Sequence, residues 1–188
     1  IIDKKTYELD TDGSLKDYTP KKKSSKKKSS GKSDTSDKSG TSTAKKSVAL
    51  TFDDGPSSFT DRLLDCLEEN NAKATFFMVG TEIASFPDEV KRMKKLGCEL
   101  GNHTYDHKDL ATLSSDEISS EIARVDEQLV NLTGEGASVV RPPYGSVNDT
   151  VKSTVGTPMI LWSIDTLDWK TQDVESTVEE VMNNVKDG

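Results

Sequence analysis

The chain holds two histidines, His103 and His107, four residues apart. Two histidines placed at random in 188 residues would take that separation in about one case in a hundred, and it suits two imidazoles on one metal ion. The plainer alternative, two surface or capping histidines, is disfavoured by the carboxylates that neighbouring loops supply. Asp53 and Asp54 end an apolar run, and on a strand adjacent side chains point to opposite faces, so one can bind metal while the other faces a substrate. Either aspartate alone would serve equally well as the cap of a turn at Gly55-Pro56. Zinc peptidases of the HExxH type need Glu directly after the first His, and Thr104 stands there, so the carboxylate must come from elsewhere. Two His and one Asp leave coordination positions open to water, the mark of a catalytic site, and predict metal-assisted hydrolysis.

Those residues need a scaffold that gathers them. The pattern predicts strands at 48–52, 74–79, 98–102, 139–141 and 159–164, with helices at 60–70, 87–96, 114–132 and 174–185 between or after them. Gly97 closes the second helix. The third opens with the capping-box sequence Ser114-Ser115-Asp116-Glu117 and carries Ile118, Ile122, Val125 and Leu129 on one face. Such alternation implies parallel strands with helices outside, and in that architecture reactive groups sit at the carboxyl ends of the strands. Asp53-Asp54, the segment 103–107, Arg141-Pro142-Pro143-Tyr144, and Asp165 with Asp168-Trp169 all fall there. Trp162, inside the last strand, reads as a core residue.

The charge is divided along the chain. Residues 20–46 carry ten Lys against two Asp, whereas residues 47–188 hold 12 Lys and Arg against 26 Asp and Glu, a balance of −14. A domain so acidic is a poor nucleic-acid binder. Residues 20–46 have almost no apolar side chain and read as a flexible Lys/Ser-rich linker, a solvated spacer first and an adhesive for anionic wall polymers or lipid headgroups second. Residues 1–19 read as the end of an upstream region or a short hairpin. No apolar run spans a bilayer and no segment resembles an export signal; starting at Ile1, the chain is expected to be a fragment whose parent carries a signal or membrane anchor upstream. Cys66 and Cys98 each stand where a small buried apolar residue would serve, so a disulfide is not expected.

At these residues the chain resembles the polysaccharide deacetylase family, also called the NodB-homology group or carbohydrate esterase family 4. Thr51-Phe52-Asp53-Asp54-Gly55-Pro56-Ser57 matches its opening motif, His103 to His107 the second, Arg141-Pro142-Pro143-Tyr144-Gly145 the third and Asp168-Trp169 the fourth. The resemblance covers residues 47–188. It implies an α/β fold, a distorted (β/α) barrel of seven or fewer units, incomplete at the C-terminus. It further implies one divalent metal ion, zinc with cobalt or nickel as alternatives, bound by Asp54, His103 and His107. Asp53 would be the general base, Arg141 would fix Asp53 in place, and the Tyr144 backbone N–H would hold the oxyanion. Trp169 would line the acetyl pocket, although a packed core Trp is almost as good a reading.

The departure is the family's fifth motif, Leu-x-x-His, whose His would protonate the leaving amine. No third His exists in the chain. Asp168, which in the family orients that His, is left without its partner, so this fragment is expected to be weak or inactive through truncation, with an active parent. The resemblance points to a monomeric, extracellular or cell-surface enzyme that removes N-acetyl groups from a polysaccharide. N-acetylglucosamine of peptidoglycan is favoured over chitin or xylan because a Lys-rich stalk suits a surface-tethered enzyme. The rivals are a noncatalytic wall-binding module on the same fold and an amidase or esterase acting on small acetylated molecules.

Overall fold

The structure, a computed structural model, describes residues 47–187. The expectations for residues 1–19 and 20–46 lie outside the described residues.

Four strands, β1 (Thr51–Gly55), β2 (Thr75–Met78), β3 (Glu99–Asn102) and β4 (Val139–Val140), form one parallel sheet in the order β1-β2-β3-β4. Among the described residues the sheet is open, not closed into a barrel. The run Thr-Phe-Phe-Met of β2 suits a central strand covered on both faces, and Phe77 and Met78 are fully buried. Helices α1 (Thr60–Glu69), α3 (Pro87–Leu96) and α4 (Ser115–Thr133) pack beside one another, with Leu64, Leu67, Val90, Met93, Val125 and Leu129 meeting Phe76 and Met78 in one core. Each such side chain taken fully from water contributes about 1.5–3 kcal/mol.

The helix ends follow their local chemistry. Pro87 occupies the first turn of α3, where its missing N–H costs nothing, and Gly97 ends the helix at φ +74°, a left-handed turn that a side chain disfavours. Ser114 caps α4 through a complete capping box with Glu117, whose carboxylate is held below its usual range by the Ser114 N–H and hydroxyl. Sequence periodicity did not mark α2 (Gly80–Ile83), α5 (Asp149–Thr154) or α6 (Asp168–Thr171), each too short to show a helical repeat. The last helix, α7, runs Val174–Asn184.

Two strand boundaries differ from the sequence expectation. The first strand begins at Thr51, and Val48 and Leu50 are exposed. The segment 159–164 is not a strand: one parallel bridge joins Met159 to Val140, after which the Ile160 and Leu161 carbonyls accept from the Arg141 guanidinium instead of from a neighbouring strand. Trp162, expected in the core, is 42% exposed, lying over Gly145. Both cysteines are free, and Cys66 faces solvent while Cys98 is buried. Among the described residues no helix is long and apolar enough to cross a membrane.

Candidate metal centre

Every group that converges on the site leaves the carboxyl end of a strand. Between Phe52, paired with Phe76, and Gly55, paired with Met78, β1 spends three residue steps against two on β2, so one extra residue bulges out. Asp54 takes up the bulge at φ +65°. The alternation that would have sent Asp53 and Asp54 to opposite faces is broken there. Asp54 Oδ1 lies 3.4 Å and Asp53 Oδ2 4.0 Å from the same atom, His103 Nε2.

His103 follows β3 directly, with its N–H donating to the Met78 carbonyl at 2.9 Å, and it is buried. Four residues on, His107 Nε2 approaches Asp54 Oδ1 to 3.2 Å. One potential ligand atom each from Asp54, His103 and His107 therefore falls within 4.8 Å of the others. The imidazole rings of His103 and His107 meet edge to face at 4.9 Å, and the Tyr144 ring packs on His107 at 5.0 Å.

His103 Nδ1 lies 2.6 Å from the Arg141 carbonyl oxygen. A carbonyl only accepts, so Nδ1 carries a proton, and in the neutral ring Nε2 then presents its lone pair to the Asp54 carboxylate. Burial pushes the His103 imidazole below its usual pKa, against the opposing pull of Asp53. A neutral imidazole lone pair facing a carboxylate oxygen has no hydrogen bond to make, and a cation between them resolves the conflict. The residues present thus fit a divalent metal, with the backbone carbonyl of Arg141 fixing the His103 tautomer from behind.

Arg141 extends from the end of β4 beneath Asp53. Its Nη1 donates to Asp53 Oδ1 at 2.6 Å and to Thr51 Oγ1 at 2.9 Å, Nε to the Ile160 carbonyl at 3.1 Å and Nη2 to the Leu161 carbonyl at 2.9 Å. The guanidinium lies over the Phe77 ring at 4.0 Å. One carboxylate oxygen of Asp53 is pinned and the other lies 4.0 Å from His103 Nε2.

Tyr144 stands beside this cluster at φ +61°, its side chain 69% exposed. Asp168 and Trp169 lie on α6, both exposed; Asp168 Oδ1 accepts from Thr166 Oγ1 at 2.7 Å, and no hydrogen bond, ion pair or ring contact among the described residues joins either to the histidine cluster. Sequence reasoning missed Thr51 and Trp162 as neighbours of Arg141, and it missed Glu121, a buried carboxylate whose signal was its place within the apolar stripe of α4.

The polysaccharide deacetylase family profile matches residues 40–157. The chain belongs to the polysaccharide deacetylase family. Members of this family are metal-dependent. The chain is 40% identical over 144 residues to the peptidoglycan-N-acetylglucosamine deacetylase PgdA of Listeria monocytogenes serotype 1/2a, covering 76% of this chain and 31% of that protein. It is 42% identical over 144 residues to a peptidoglycan-N-acetylglucosamine deacetylase of Bacillus cereus, covering 74% of this chain and 52% of that one. The chain thus spans between about a third and half of these relatives. Its fold matches the solved peptidoglycan deacetylase PdaC of Bacillus subtilis with a TM-score of 0.74 at 38% identity, covering 76% of this chain and 71% of that one.

Proposed function

We propose that this deacetylase domain belongs to a metal-dependent hydrolase that removes N-acetyl groups from a cell-wall polysaccharide outside the cell, with N-acetylglucosamine of peptidoglycan as its substrate. The observation that carries this reading is the convergence of Asp54, His103 and His107 beside an aspartate clamped by a buried arginine. The names of the Listeria, Bacillus cereus and Bacillus subtilis relatives support the choice of polymer.

In this proposal Asp54, His103 and His107 hold one divalent ion, zinc in the first instance. Bound there, the ion supplies a Lewis acid that polarises the acetamide carbonyl and makes water easier to deprotonate. Asp53 is the general base: Arg141 fixes its Oδ1, and the free Oδ2 takes the proton from the attacking water. Attack on the carbonyl carbon places negative charge on its oxygen, toward which the Tyr144 N–H donates. The C–N bond then breaks, acetate leaves, and the sugar nitrogen gains a proton, balanced by the one that Asp53 took from the attacking water. Both histidines of the chain are assigned to the metal, so neither donates it. Asp168 is assigned to orienting the proton donor and Trp169 to lining the acetyl pocket.

The test combines metal titration of the apo chain with acetate release, by the whole hydrolase that carries this domain, from peptidoglycan, chitin oligomers and acetylated xylan. Stoichiometric zinc binding, lost in Asp54→Ala and His103→Ala and kept in Asp53→Asn, is expected. Acetate release should favour peptidoglycan and vanish in Asp53→Asn. Wild-type zinc affinity in Asp54→Ala would remove the metal assignment, and undiminished acetate release by Asp53→Asn would remove the base.

A further inference from the structure

Glu121 sits on α4 between Ile118 and Val125 in the helix's apolar stripe and is 4% exposed. A carboxylate there costs desolvation unless it is fully partnered. Among the described residues, its hydrogen-bond partners all come from the segment that carries the two histidines and the lysine after it. Oε2 accepts from the Tyr105 N–H at 3.0 Å and the Asp106 N–H at 2.8 Å, and Oε1 accepts from Lys108 Nζ at 3.0 Å. The carbonyls of the same segment turn the other way: Thr104 O accepts from the Gly80 N–H at 3.0 Å and Tyr105 O from the Thr81 N–H at 3.1 Å.

The turn is therefore gripped on its amide side by Glu121 and on its carbonyl side by the start of α2. It needs the grip. Thr104 at φ +67° and His107 at φ +54° are both left-handed, a conformation that residues with a Cβ avoid unless their surroundings impose it. His107 is one of the two and stands immediately after Asp106. Letting Tyr105 and Asp106 relax would swing the His107 imidazole away from Asp54 while leaving His103, anchored to β2 and to the Arg141 carbonyl, in place.

The geometry points to Glu121 as a positioning residue of the metal site, whose carboxylate, by holding the Tyr105 and Asp106 amides, sets the aim of His107 relative to His103 and Asp54. This rests on the reading of Asp54, His103 and His107 as metal ligands. Metal–ligand distances tolerate only about 0.2 Å of error. Partners that orient ligands from behind typically change metal affinity 10- to 100-fold when removed. In Glu121→Gln the amide oxygen can still accept from both N–H groups, but its NH2 then faces the Lys108 ammonium, donor against donor. The Gln variant should therefore keep part of the effect.

The experiment titrates the whole 188-residue chain with zinc in competition with a chromophoric chelator, and with cobalt followed by its visible absorption bands. Glu121→Ala should weaken zinc binding roughly 10- to 100-fold and alter the cobalt band shape, with Glu121→Gln between it and the wild type. Val90→Ala, a cavity in the fully buried part of α3, should lower thermal stability and leave zinc affinity and the cobalt bands unchanged. Zinc affinity in both Glu121 variants equal to wild type within error overturns the inference, as does an equal loss in Val90→Ala. Should Glu121→Ala fail to fold, Glu121→Gln against wild type decides by the same criterion. A wild-type chain that binds no zinc refutes the metal-site reading itself, a distinct outcome.

Discussion

Replacing Arg141 by Met should loosen the sheet edge and the segment after β4 together. Arg141 is 2% exposed and donates to four oxygens, three neutral and one carboxylate. The neutral bonds contribute about 1 kcal/mol each at most, and less for the Ile160 and Leu161 carbonyls, which belong to half-exposed residues and can take water instead. Breaking a fully buried ion pair costs about 3–5 kcal/mol, but the Asp53 side chain is 29% exposed and regains part of its hydration, so its share falls to about 1–2 kcal/mol. Met keeps the apolar contact with the Phe77 ring. The sum is a loss of about 2–4 kcal/mol, read as a lower urea midpoint at constant slope in metal-free buffer. Asp53→Asn should cost less, because its amide oxygen still accepts from Nη1. The double variant should cost less than the two singles added, with a coupling of about 1–2 kcal/mol. An Arg141→Met variant within about 0.5 kcal/mol of wild type, with no coupling to Asp53, would refute the idea that this guanidinium ties Asp53 to the strand.

Gly80→Ala should destabilise by about 1–3 kcal/mol, since a Cβ there would lie 2.9 Å from the Tyr105 Cα, a backbone atom that cannot swing aside; a melting temperature equal to wild type would show that the turn yields more easily than its hydrogen bonds suggest. Ser114→Ala should cost about 1 kcal/mol at neutral pH through loss of the α4 cap. Because the folded-state pKa of Glu117 is lowered, its contribution is complete above the ordinary Glu pKa and is lost as pH falls through the lowered value. The difference between Ser114→Ala and wild type should accordingly shrink in acid, and a difference that grows there would contradict the capping box. Cys66 should react with a thiol reagent in the native chain and Cys98 only after unfolding; equal rates under native conditions would contradict the burial of Cys98.

Much of the fold was legible because it rests on local signals. The helical repeat of Leu63, Leu64 and Leu67, Pro87 and Gly97 bracketing α3, and Ser114 before Glu117 each fix an element within a few residues of its observed end. The family motifs picked out residues that converge at the candidate metal centre, since Asp-Asp, His-x-x-x-His and Arg-Pro-Pro-Tyr are contiguous in sequence. Residues 159–164 misled because an apolar run reads as a strand whatever its neighbours do, while strand formation needs a backbone partner and here Arg141 takes the carbonyls.

By itself, then, the sequence determined which residue types are present and in what order: two imidazoles, paired aspartates, an arginine directly before two prolines, and the hydrophobic periods that lay them at strand ends. Only the tertiary structure decided how they face one another. The extra residue in β1 exists only as a mismatch with β2, and it turns both aspartates toward His103, against the alternation that Asp53-Asp54 read alone would give. The Glu121 clamp joins residues 15 and 16 positions apart, and the Arg141–Asp53 pair spans 88. Such contacts are set by packing between elements, which no local pattern of residues encodes.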